Sequence, residues 1–186
     1  EVGLPEGEFV SGVRWEHAVY KLARGKDLPA WEESYKRFAA GESCSRIAMN
    51  QKEGKKTIEQ TTVLGHILQA LQFGDRPIDL RRLFRELPTG TLPSRRQWNL
   101  LDEKEALLGV SVVKDSGFSS KELLKTILDS ANKEHGQKTS DEVQAEREWY
   151  SRIRIWSELK KGSVPVDASD SSEGASGGDM KRARCA

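Results

Sequence analysis

Residues 35–51, YKRFAAGESCSRIAMNQ, and residues 61–80, TTVLGHILQALQFGDRPIDL, decide the fold, with a lysine-bearing connector between them. Trp31, Tyr35 and Phe38 recur at helical spacing and predict a first helix with one buried face. Gly41 is placed to close it, and Ser43 to cap a short second helix whose buried residues are Ile47 and Ala48. A third helix is expected from Thr61 or Thr62. It sets Leu64, Ile67, Leu68 and Leu71 on one face and Thr62, Gly65, Gln69 and Gln72 on the other. Three short helices, the last polar on its outer face, are the parts of a helix-turn-helix.

Working outward, Gly74 ends the third helix and Asp79 opens a fourth, DLRRLFREL, with Leu80, Leu83, Phe84 and Leu87 inward and Arg81, Arg82 and Arg85 outward. Ser94 is expected to cap a helix whose buried face carries Trp98, Leu101 and Leu108. VSVV at 110–113 reads as a short extended piece. A helix capped by Ser119 or Ser120 then buries Leu123, Leu124, Ile127 and Leu128. After a polar loop at 132–139, Ser140 opens a long helix bearing Val143, Trp149, Ile153, Trp156 and Leu159. On the N-terminal side, Trp15, Val19 and Leu22 predict one short helix ending at Gly25. Residues 1–13, rich in Gly and acidic side chains, read as an entry linker. From Gly162 onward there is too little apolar surface to offset ordering entropy. The expected organisation is therefore all-α: a linker at 1–13, a helix-turn-helix domain at 14–88, additional packed helices at 89–161 and a disordered tail at 162–186.

Composition narrows the function. The net charge of +1 excludes a generally basic protein that coats nucleic acid, but leaves local basic patches possible. Cys44 and Cys185 lie far apart, support neither a disulfide framework nor a metal site, and suit a reducing compartment. No apolar run approaches the roughly 20 residues that span a bilayer, so no membrane partner is expected. The chain starts at Glu1 rather than Met and is expected to be a piece of a longer protein.

The residues that carry chemistry point to binding. In a helix-turn-helix the third helix lies in the major groove, which would turn Thr62, Gly65, His66, Gln69 and Gln72 toward base edges. Lys52, Lys55 and Lys56 in the connector, and Arg76, Arg81, Arg82 and Arg85 after the third helix, are placed to hold phosphates. The connector, about ten residues, is longer than the usual three- or four-residue turn, and the outer face is neutral. Phosphate contact is therefore favoured over base-specific reading. No nucleotide loop, Ser/His/Asp grouping or paired catalytic carboxylate is visible, so neither a catalytic residue nor a cofactor is assigned. His66, His17 and His135 lack a second ligand at metal spacing. A protein-docking module is the alternative, using the Trp149/Trp156 helix as its surface. The terminal KRAR is a short basic cluster of the kind that serves nuclear import.

Phe38, Gly41, Ser43, Ile47 and Ala48, then Thr62, Val63, His66 and Ile67, then Gly74, Ile78, Asp79 and Leu80 occur in an order that resembles one family. It is the helix-turn-helix module at the C-terminus of RecQ-type, Werner-like and plant-type, ATP-dependent DNA helicases. The resemblance covers residues 30–85 most closely. It implies a DNA-binding accessory module that helps a helicase engage DNA in repair or replication, in the nucleus, with the ATP-driven motor elsewhere in the parent protein. No Walker-type loop or DEAD/DEAH-type box occurs in these residues.

Overall fold

The computed structural model describes residues 1–22, 24–51 and 56–168, and these form a mainly helical fold with one two-stranded sheet. The seven α-helices among them are α1 (Ala30–Ala39), α2 (Cys44–Met49), α3 (Gln60–Ala70), α4 (Leu80–Arg85), α5 (Arg95–Leu108), α6 (Ser120–Lys125) and α7 (Ser140–Lys161). Strands β1 (Glu8–Phe9) and β2 (Ile78–Asp79) pair antiparallel, with Glu8 opposite Asp79 and Phe9 opposite Ile78.

The helix boundaries follow local chemistry. α1 buries Trp31, Tyr35 and Phe38 and stops where Gly41 takes φ +95°, a conformation that favours glycine. Ser43 Oγ accepts the Arg46 amide at the start of α2, and Asp79 does the same for Arg82 at the start of α4. Ser94 with Gln97, and Thr139 with Glu142, form reciprocal capping boxes on α5 and α7. A 3₁₀ turn at Leu71–Phe73 prolongs α3 until Gly74 (φ +81°) ends it.

Packing is centred on α3. It lies most extensively on α1 and next on α2, while α7 covers a further side of it. Val63, Ile67, Leu68 and Ala70 of α3 are buried, as are Leu123 and Leu124 of α6 and Ile153, Trp156 and Leu159 of α7. These side chains belong to one cluster, to which residues 14–88 and residues 89–161 both contribute.

Four segments differ from the sequence-based expectation. Residues 1–13 are part of the fold: Val2 and Leu4 are buried, β1 pairs with β2, and Arg81 Nε donates to the Leu4 carbonyl at 2.9 Å. The predicted helix over Trp15, Val19 and Leu22 does not form. Trp15 and Tyr20 are held by distant partners instead, while Val19 and Leu22 are exposed. The Trp15 amide donates to Gln72 O (2.8 Å), Trp15 Nε1 to Val113 O (2.6 Å) and Tyr20 OH to the buried Glu32 (2.6 Å). Tyr20 also packs edge-on against Trp31 and Phe73. So short a segment is marginal as a helix, and tertiary contacts decide its path. The VSVV piece is a turn, with Val112 buried. Residues 162–168 are ordered: Val164 is buried, and Gly3 and Asp167 exchange backbone hydrogen bonds of 2.8 and 3.0 Å. The rest of the expected tail, 169–186, lies outside the described residues.

Candidate nucleic-acid interface

The site is built on α3, whose sequence QTTVLGHILQA contains no charged side chain apart from the titratable His66. With one face of α3 on α1 and α2, the polar residues divide between two edges. Thr62, His66 and Gln69 lie along one edge and are half-buried. Gly65 and Gln72 lie toward α7 and are themselves buried. Gly65 is buried against the guanidinium of Arg154, and Gln72 Nε2 donates to Glu158 of α7. The expectation that all five residues face outward is thus corrected. The long amphipathic α7 needs an apolar surface to bury Ile155, and Leu64 and Leu68 beside Gly65 of α3 provide it.

His66 marks the open edge. Its Nδ1 shares a 2.9 Å hydrogen bond with Ser34 Oγ of α1. Burial, and then the positive charge of Arg154, hold its imidazole below the ordinary histidine range, so the neutral ring is favoured. His66 lines a cleft of about 380 Å³ with Ser34, Arg37, Ile58 and Lys56. Lys56 is exposed there, so the fold brings this connector lysine to the same cleft as His66. Lys52 and Lys55 lie outside the described residues.

The arginines after α3 are not brought to that cleft. Arg81 and Arg85 are exposed and line a different one, with Leu4, Phe84 and Leu92. Arg81 pairs with Glu6 at 2.7 Å. Arg82 is a structural residue rather than an outward phosphate contact. Its guanidinium donates to Phe38 O (3.1 Å), Glu42 O (2.7 Å) and Glu86 (3.2 Å), and lies 4.1 Å from the centre of the Phe38 ring. It adds a donor to the Phe38 carbonyl, which also accepts the Gly41 amide, and ties the Glu42 carbonyl of the α1–α2 loop to α4. Arg76 is likewise engaged with Glu32.

The surface formed by Trp149 and Trp156 is also corrected. Trp156 is fully buried, its Nε1 donates to Asp102 at 3.0 Å, and Lys160 lies over its ring. Trp149 is half-buried against the core. Cys44 is buried beside Glu86, and burial pushes its thiol up to about 12, leaving it inert as a nucleophile. Among the described residues no group of three or more His, Cys, Asp or Glu is placed to hold a metal ion. No described helix is long and apolar enough to cross a membrane.

One residue at the α3 edge escaped the sequence reading. Arg154 stands beside Gly65 of α3 from 89 positions away, and the signal for it was Gly65 itself, a glycine in the interior of a helix. No protein-family model, curated protein or solved structure matches this chain.

Proposed function

We propose that this chain is a DNA-binding accessory module with a helix-turn-helix at its centre, from the C-terminal end of a RecQ-like DNA helicase, serving repair or replication in the nucleus. The observation that carries the reading is the placement of α3. It crosses α1 and α2 and keeps Thr62, His66 and Gln69 along one open edge, with Lys56 on the cleft that His66 lines. Its hydroxyl, imidazole and amide groups suit hydrogen bonding to DNA, and Lys56 suits a phosphate. Exposed Arg85 adds a phosphate contact on a separate surface, while Arg81 is held by Leu4 and Glu6 and Arg82 is committed to the fold.

A second reading, docking of a repair or replication protein, is favoured by the exposed apolar side chains of Val13, Val19, Tyr20 and Leu22 rather than by Trp156. Fluorescence anisotropy with forked, single-stranded and duplex DNA across a salt series separates the two. Under the DNA reading, affinity falls steeply with salt, and Lys56→Glu lowers the logarithmic salt slope by about one. Absence of binding to all three DNAs at low salt favours the docking reading.

A further inference from the structure

The side of α3 that faces α7 carries no charged side chain of its own, yet the fold places one there from α7. Arg154 is exposed, and no carboxylate of the described residues pairs with it. That sets it apart from Arg37, Arg76, Arg81, Arg82 and Arg152, each of which meets a Glu or Asp within 4 Å. The carboxylate one turn further along α7, Glu158, is occupied by Gln72 and Lys161. The guanidinium of Arg154 instead rests against Gly65, where the Cβ of any other residue would overlap it. Glycine is a poor helix former, so its use in the middle of α3 is accounted for by this close approach. Thr61 and Ser151 line the same cleft of about 320 Å³, as does Tyr150, which is 39% exposed.

We infer that Arg154, seated on Gly65, is a phosphate-binding residue at the seam of α3 and α7 that holds the DNA backbone beside the α3 edge. A planar guanidinium with its donors unused matches two phosphate oxygens. The hydroxyls of Thr61 and Ser151 are flanking donors, and the Tyr150 ring gives a face for the adjoining sugar or base. The inference rests on the DNA-binding reading and extends it to a helix outside the three-helix unit.

The test is anisotropy of the full chain with forked, duplex and single-stranded DNA, comparing wild type, Arg154→Ala, Gly65→Ala, the double variant and a Lys121→Ala control on α6. Arg154→Ala is expected to weaken binding roughly tenfold and lower the salt slope by about one. Gly65→Ala keeps the fold, because the obstructing atoms are the far end of a flexible side chain. It displaces the guanidinium, weakens binding in the wild-type background and adds nothing to Arg154→Ala. Lys121→Ala leaves affinity unchanged. Wild-type DNA binding with an unaffected Arg154→Ala variant, or an equal loss in Lys121→Ala, overturns this inference and leaves the DNA-binding reading standing. Failure of the wild type to bind any of the three DNAs at low salt overturns both.

Discussion

His66 is half-buried, shares a hydrogen bond with Ser34 and faces the charge of Arg154, with Lys56 and Arg37 lining the same cleft. Both burial and Arg154 favour its neutral form, so its affinity for a proton is lower in the folded chain than in the unfolded one. Stability from this group is complete above its ordinary value of 6.5 and declines as pH falls through its depressed folded value. The thermal midpoint is therefore expected to drop between about pH 7 and about pH 5 more in the wild type than in His66→Gln. Parallel profiles for the two proteins would refute this role. At this scale the legible residues were those whose partners are near in sequence. Ser43 accepts from Arg46, three positions on, and Gly41 needs only its own φ. Arg82 was misplaced because its acceptors, Phe38 O and Glu42 O, lie 44 and 40 positions away. Helical spacing put it outward, and only the folded chain shows what it reaches.

Elements were legible wherever a 3.6-residue period ran long enough to define a face. α1, α5 and α7 contain their expected apolar residues, as does α3 apart from Leu71, which falls in the 3₁₀ turn that prolongs it, and Trp98, Leu101, Ile153 and Leu159 are buried. Periodicity alone does not rank two aromatic residues on one long helix. Trp156 lies under Asp102 and Lys160 with no exposed surface, whereas Trp149 remains half in water. Trp156→Ala is expected to cost about 3–5 kcal/mol, through lost burial and an uncompensated cavity. Trp149→Ala costs less, since part of its ring is already hydrated. Urea midpoints of the two variants check the order, and equal losses would show that Trp156 is not a core residue. The short segment over 14–25 was misread for a related reason. Three apolar residues at helical spacing are too few to outweigh the hydrogen bonds of Trp15 and Tyr20 to remote groups.

Across the whole molecule, the two ends of the described chain meet and help close the core. Leu4 and Val2 are buried, Gly3 bridges Asp167, and Phe9 lies opposite Ile78 in the sheet. Leu4→Ala is expected to destabilise the whole fold by roughly 2–4 kcal/mol, as for other buried leucines. It should also speed amide exchange at Ile78 and Asp79, since β1 enters the sheet from the same segment. An unchanged urea midpoint would mean that residues 1–9 are a dispensable arm. Few residues, glycine and acidic side chains made this stretch look like a linker, because two-residue strands and single bridges leave no periodicity to read.

Local sequence pattern encodes the helical class, the helices from α1 to α7 and most of their caps, because spacing, glycine φ and N-cap hydrogen bonds act over a few residues. Tertiary structure alone decided which polar residues of α3 stay open. Gly65 and Gln72 are taken by Arg154 and Glu158 of α7, while Thr62, His66 and Gln69 are left at the edge. That choice depends on contacts between residues 86 or more positions apart in the chain, and no local pattern encodes them.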